Sequence, residues 1–506
     1  MALIWMRSSA ICHLSASSIW MRWPMADLTP RQPYRPLYWP DIIFSLQDML
    51  VDTKQAVYVV GGAVRDALLQ RPLTDIDLAV AQGGTALARR IANAFKGDFF
   101  VLDADRDVGR ALVKTAEGSF VIDVARFRGD DLLADLSDRD FTINSMAVDL
   151  TVDVDMLIDP LDGEQDVRSK VIRRCGPQAL PDDPLRALRA VRQSVQLEMR
   201  LEPQTAKDVR AARAMLPTIS PERLRDEFMK MLAVNRPRVA VRVAENLGLL
   251  DSIVPEIAML RDRPAQGDDY TNLWQETLAV VEKMAHLVSA ISPHRTDYTG
   301  ATFGIGMWIM QLDRYRQRLQ VHIAQTWPNE RSHAALLILA VLLSEESPQE
   351  AGARAQALRL SNAERDWLMT VIGAIRVPLQ EDDWSPLVLH RFWRQTGSAG
   401  VDVCLLAAAT YLGRAGSALE QDQWLVMVER LLTMLAAYYD QFYEVVEPTP
   451  VLDGNQLMAE LGLERGPLIG VLLERIREGQ VTGDVTSLED ALALARRHLP
   501  DTNHHK

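Results

Sequence analysis

V-Y-V-V-G-G-A-V-R-D-A-L-L-Q-R-P-L-T-D-I-D-L-A-V, Val57 to Val80, is the stretch on which the reading of this 506-residue chain turns. Val57 to Val60 is a β-branched apolar run that predicts a buried strand. Gly61-Gly62 interrupts it and leads into a short helical pattern, Ala63 to Leu69, that Pro72 closes. Two glycines at such a turn let backbone N–H groups approach a phosphate without side-chain obstruction. Leu73 to Val80 predicts a second strand, in which Asp75 and Asp77, two residues apart, share one face. Two adjacent carboxylates repel unless a cation lies between them, and magnesium with oxygen ligands serves that purpose in phosphoryl transfer. The competing reading of D-x-D is a solvated strand end.

Downstream, Ala86 to Phe95 reads as a helix, and Phe99 to Leu102, Ala111 to Lys114 and Ser119 to Arg126 read as strands. Asp123 is the one charge inside the last strand's apolar alternation, which is costly unless it is paired or metal-bound. It is a candidate third metal-side carboxylate, against a salt bridge to Arg126 or Arg128. The block D-R-D-F-T-I-N-S-M-A-V-D-L, Asp138 to Leu150, reads as a charged pair opening an apolar helix. Further on, P-D-D-P-L-R-A-L-R-A-V-R, Pro181 to Arg192, predicts a helix with Asp182 or Asp183 as cap and Pro184 in its first turn. Asp183 and Arg186, three apart, share a face and together present an acceptor and a planar donor fork to the edge of a base. The competing reading is a capped helix with surface ion pairs.

Taken together, strand-G-G-x-V-R-D, D-I-D, R-D-F-T-I-N-S-M-A and D-D-x-x-R resemble the class II tRNA nucleotidyltransferases and bacterial poly(A) polymerases, which share a polymerase-β-like head. The resemblance implies an α+β fold: a mixed-sheet nucleotidyltransferase head followed by an all-helical neck, body and tail. It implies that Asp75, Asp77 and Asp123 hold two Mg2+ ions. Gly61 and Gly62 would face the triphosphate, and Arg65 and Asp66 would lock that loop. Arg139, Asp140 and Asn144 would read the ribose hydroxyls, with Asp138 standing where the family has a first arginine. Asp183 and Arg186 would template the incoming base, with Asp182 in place of the family's glutamate, and Arg189 and Arg192 would extend a basic side toward the triphosphate. Ser220 to Phe228 resembles the next family block, in which Arg223 and Glu227 would either pair with each other or hold the template helix.

The implied domains are a head over 41–160, a neck over 161–248, a helical body over 249–447 and a tRNA-binding tail over 448–506. Residues 1–40 are left outside the fold, as a disordered or mis-started extension with Met25 as candidate start, or as a weak targeting segment over Met1 to Pro24. Net charge is −13, yet Arg168 to Arg242 holds 17 basic against 8 acidic residues, a balance of +9 that leaves −22 for the rest. A basic middle in an acidic chain suits an RNA groove, or else a set of solvated helix faces. Cys12, Cys175 and Cys404 have neither metal nor disulfide spacing, which favours a reducing, cytoplasmic setting. No apolar run is long enough to span a membrane.

The body carries no visible repeat. Its S-H-A-A-L-L-I-L-A-V-L-L-S helix, Ser332 to Ser344, resembles the one that bears the L-H-D of a phosphohydrolase in longer relatives, but here Leu343 is followed by Ser344-Glu345, so the His-Asp pair is gone. His322, His333 and His390 show no ligand spacing, so the body reads as structural. In the tail, Val451 to Gly483 matches the family again. Gly466-Pro467 reads either as a phosphate grip on tRNA or as a plain helix cap. The expected activity is template-independent transfer of CMP, and possibly AMP, from CTP and ATP to a tRNA 3′ end. The short interval Arg128 to Ser137 resembles that of CC-adding enzymes; complete CCA addition, A-adding and poly(A) polymerase activity are the alternatives. A catalytically silent RNA-binding relative is the alternative of another class.

Overall fold

The computed structural model describes residues 28–292 and 303–499. The readings of Met1 to Pro24, the Met25 start and Cys12 lie outside the described residues. By internal contacts the chain divides into two compact units, one of residues 1–169 with 173–176, the other of 170–172 with 177–506. The first thus continues past residue 160, where the sequence reading ends the head.

The first unit is an α+β domain. Its elements are α1 (Asp41–Leu50), β1 (Val57–Val60), α2 (Gly62–Leu68), β2 (Asp75–Val80), α3 (Gly84–Ala94), β3 (Asp98–Asp103), β4 (Val108–Thr115), β5 (Gly118–Arg126), α4 (Leu132–Ser137), β6 (Ala147–Asp149), β7 (Leu157–Ile158) and α5 (Gly163–Arg168). The strands form one sheet in the order β3-β4-β5-β2-β1-β6-β7, with β2 and β5 parallel and every other pair antiparallel. Val57, Val59, Val60, Ile76, Leu78, Val80, Ile122 and Val124 are buried in its centre.

Two sequence expectations change. Asp138 to Leu150 forms no apolar helix: only Thr142–Asn144 makes a 3-10 turn, and Ala147–Asp149 becomes β6 against β1. Pairing with the open edge of β1 overrides local helical propensity, a routine outcome for short apolar runs. Residues 28–40, set outside the fold by sequence, are packed on this unit. Arg31 bridges to Leu157, Leu37 and Trp39 are buried, and the Trp39 indole donates to the Val154 carbonyl at 2.9 Å. Arg31 also reaches two buried acids, Asp159 at 2.9 Å and Glu164.

The second unit is predominantly helical. It opens with α6 (Ala179–Asp182), α7 (Arg186–Gln196), α8 (Pro203–Ala212), α9 (Pro221–Leu232) and α10 (Pro237–Asn246). Further on, the long helices Leu273–Ile291 and Ala399–Ala415 pack closely enough that a side chain at Gly413 would meet the Val280 backbone. The C-terminal helices have their own core of Leu457, Leu472, Ile476 and Leu492.

Candidate active site

On β2, Asp75 and Asp77 are exposed while Ile76 and Leu78 point inward, as the two-residue period requires. The parallel register sets Asp77 beside Asp123 on β5. Asp75 accepts the Thr74 hydroxyl at 2.9 Å. The Asp77 carboxyl is held above its ordinary range, first by loss of surrounding solvent and then by the charges of Asp123 and Asp75, against the pull of Arg139. Residue exposure and that desolvation describe different things here: the side chain opens to solvent on one side and is crowded by protein on the others. Surplus negative charge that water reaches is the setting a divalent cation fits.

Asp123 is placed differently from Asp75 and Asp77. Arg110, its cross-strand partner on β4, donates Nε to Oδ1 at 2.7 Å and Nη2 to Oδ2 at 2.8 Å. The ion pair is therefore with Arg110 rather than Arg126 or Arg128, and only the register between β4 and β5 reveals it. Among the described residues, the three strand aspartates are not gathered into a trio of close ligand atoms. The trio whose ligand atoms lie within 4.8 Å of one another is His322, His333 and Asp402.

The glycine turn closes over the same edge. Gly61 has φ 76° and ψ −135°, and its N–H donates to the Met146 carbonyl at 3.3 Å. A Cβ there would lie 2.7 Å from Arg139 Nη1 and 3.4 Å from Asp77 Oδ2. Arg139 thus lies over the turn, beside the β2 carboxylates. It is held from behind by Asp135 of α4, which accepts its Nη2 at 2.9 Å and the Arg128 N–H at 3.1 Å. Asp135 is buried and was missed by sequence, where it looks like one more acid in a polar interval.

Arg65 forks onto Asp66, at 3.1 and 2.7 Å, and donates to Asn144 Oδ1 at 2.5 Å. Asn144 in turn donates to Asp140 Oδ1 at 2.8 Å. One hydrogen-bonded chain therefore joins Arg65, Asp66, Asn144 and Asp140, with Asn144 and Asp140 buried.

In the second unit, Asp183 lies between α6 and α7. Its Oδ1 accepts the Leu185 N–H at 3.3 Å and its Oδ2 accepts Arg223 Nη2 at 2.9 Å. Arg186 is buried and donates Nη1 to the Ala179 carbonyl at 3.1 Å. Arg192 Nε donates to Glu227 at 2.6 Å, and its Nη1 to Gln196 at 3.2 Å. Arg223 and Glu227 of α9 thus reach across to α7 instead of pairing with each other. Arg192 is tied into that framework rather than standing ready for a phosphate. Arg189 is partly exposed on α7.

The body corrects the reading of its histidines. His322 and His333, spaced without pattern in sequence, meet on one buried carboxylate: each Nε2 lies 2.8 Å from Asp402 Oδ1. His390 stands apart, its Nδ1 against the Val445 carbonyl at 2.7 Å. No helix of the described residues is long and apolar enough to cross a membrane.

The family description "Poly A polymerase head domain" matches residues 57–173, and "Probable RNA and SrmB- binding site of polymerase A" matches 198–260. A CC-adding tRNA nucleotidyltransferase of Geobacter sulfurreducens is 30% identical over 445 residues, covering 87% of this chain and 92% of its own. An A-adding tRNA nucleotidyltransferase of Deinococcus radiodurans is 29% identical, covering 88% and 96%. Among solved structures, a CCA-adding enzyme complexed with ATP superposes with a TM-score of 0.61 at 21% identity, covering 91% of this chain and 95% of that one. The Thermotoga maritima CCA-adding enzyme complexed with tRNA superposes at 0.55 and 21%, covering 93% and 100%. At these identities the structures speak for the fold.

Proposed function

Because the chain belongs to the tRNA nucleotidyltransferase family, we propose that it adds cytidylate residues to the 3′ end of tRNA and stops after two. The observation that carries the chemistry is the exposed Asp75–Asp77 pair on β2, set beside Asp123 and overlooked by Arg139 and the Gly61 turn. Magnesium held by Asp75 and Asp77 would supply positive charge to the attacking and leaving oxygens.

The chain's own residues do the rest. The primer's 3′-hydroxyl oxygen forms a bond to the α-phosphorus of CTP, the bond to the bridging oxygen breaks, and pyrophosphate leaves. Asp123, with one oxygen released by Arg110, would take the hydroxyl's proton or join Asp75 and Asp77 in holding magnesium. Gly61 and Gly62 admit the triphosphate close to backbone. Arg139 and the Asp140–Asn144 pair, locked by Arg65 and Asp66, hold the ribose. Asp183 accepts the cytosine amino group and Arg186 donates to its ring acceptors, and the partly exposed Arg189 of the same helix contributes positive charge to nucleotide binding. Positioning and electrostatics supply most of the rate in such transfers.

The halt after two residues rests on α4. The interval between β5 and Arg139 is twelve residues, half of them the helix α4, capped by Asp131 and pinned at buried Asp135, which leaves only a short, anchored connection to help a base template change from C to A. Full relatives with CC-adding and A-adding names bracket this choice.

The test offers the purified protein magnesium and tRNA transcripts ending at the discriminator base, at C and at CC, with CTP, ATP or both. Two cytidines and no adenosine on the CC-ended tRNA is the expected result. A completed CCA end, or adenosine on the CC-ended transcript alone, would overturn the specificity. Binding without incorporation would overturn the enzyme reading in favour of a silent RNA-binding protein.

A further inference from the structure

The helix α9 has two working faces. Arg223 and Glu227, one turn apart, hold Asp183 at 2.9 Å and Arg192 at 2.6 Å, gripping α7 near its start and in its middle. Between them, Arg225 and Asp226 turn to the body. Arg225 Nη1 donates to the Arg359 carbonyl at 2.5 Å, and Asp226 lies 3.6 Å from Arg331 Nη1.

Arg331 is an unusual neighbour for a helix surface. Its side chain is 5% exposed and forks onto Glu364 at 2.6 Å through both Nε and Nη2, and Glu364 is itself fully buried. The third nitrogen, Nη1, is buried without a hydrogen-bond partner and faces Asp226. A buried guanidinium with an unsatisfied donor costs free energy, so something must hold it there.

The holding comes from its own segment. Thr326–Trp327 and Arg331–Ser332 pair as a tight ribbon across Asn329 and Glu330, both at positive φ. The Trp327 indole donates to His333 Nδ1 at 3.0 Å. An indole N–H can only donate, so His333 Nδ1 bears a lone pair and the neutral ring carries its proton on Nε2, aimed at Asp402 Oδ1. Trp367 Nε1 donates to the other oxygen of Asp402 at 2.8 Å. The same argument removes the trio as a metal centre. A metal on His333 Nε2 would require a proton on Nδ1, opposed to the indole proton. The cluster is an anion-centred hydrogen-bond hub that pins the ribbon.

We propose that the ribbon Trp327–His333 is a positioning element for nucleotide selection: pinned on Asp402, it braces α9 through Arg331, and α9 fixes Asp183 against α7. The helical body thereby takes part in choosing the base without touching it. This rests on the reading of Asp183 as a base-reading residue, and the experiment separates the two. Arg331 and Asp226 are positioning residues, not catalytic ones.

Steady-state addition to a tRNA transcript is measured with CTP and with UTP, alongside the melting temperature, for Asp226→Asn, Arg331→Lys and Arg331→Met/Glu364→Gln. Asp226 is partly exposed, so its variant is expected to fold. The double variant removes both buried charges and keeps a residue that can complete the Ser361 capping box. Asp226→Asn and the double variant are expected to raise the KM for CTP and lower the preference for CTP over UTP by roughly 2- to 30-fold, the range seen for coupling through packed networks. The kcat changes less, and Arg331→Lys falls between. Lowered melting temperature with unchanged KM and preference would overturn the proposal. Asp183→Ala is the control. If it leaves the preference unaltered, the base-reading assignment itself fails; if it shifts the preference while the brace variants do not, only the brace fails. In an Asp183→Ala background, Asp226→Asn is expected to add nothing to the loss of preference.

Discussion

At Gly61 two demands fall on one residue: a backbone at φ 76° and no atom where Arg139 Nη1 would be 2.7 Å from a Cβ. Gly61→Ala is therefore expected to cost more than about 1 kcal/mol of stability. It is also expected to depress turnover at temperatures where the variant is still folded, because Arg139 must move off the β2 carboxylates. Denaturant titration and single-turnover addition check the two effects separately. This residue was legible in sequence, as were Asp75 and Asp77, because each follows from a local rule: a turn needing glycine, a period of two. Arg110 was not. Its grip on Asp123 depends on how β4 and β5 align, and the sequence separation of 13 residues says nothing about that. His322 and Asp402, 80 residues apart, were hidden for the same reason on a larger scale.

The strands and helices from β1 through β5 lie close to where the sequence places them, whereas Ala147–Asp149 does not. A three-residue strand has too little pattern to announce itself, and its identity comes from the free edge of β1. The helix α4 shows the reverse: its residues read as a short interval, but its role comes from a single buried contact. Asp135 accepts two hydrogen bonds from Arg139, through Nε and Nη2, and Arg139 is itself mostly buried. Asp135→Asn is expected to loosen Arg139. Preference for CTP over dCTP should then fall roughly tenfold, the worth of one charge-assisted hydrogen bond. Competing ribo- and deoxynucleotide incorporation measures this. An unchanged preference would take Arg139 out of ribose recognition.

For the whole molecule, the hub in the body ties acid stability to one carboxylate. Burial pushes Asp402 up, but hydrogen bonds from His322 and His333 outweigh it and hold the group at about 2. An unfolded chain takes up this proton near pH ~3.9. The contribution, about 2 to 3 kcal/mol, is thus complete above that pH and is lost as pH falls toward the folded value. Acid unfolding, followed by the fluorescence of Trp327 and Trp367, is expected to steepen below about pH 4. Asp402→Asn should flatten that limb, and a chelator should leave the melting temperature of the parent protein unchanged. The first unit carries a related dependence at its seam. Arg31 is the cation for Asp159 and Glu164, both buried and both supplied from the far end of the same unit. Excising the first unit at its first helix, Asp41, would strand two interior acids without their Arg31 counterion. A fragment that keeps these acids paired therefore begins upstream of Arg31, in a stretch with no catalytic motif to advertise it.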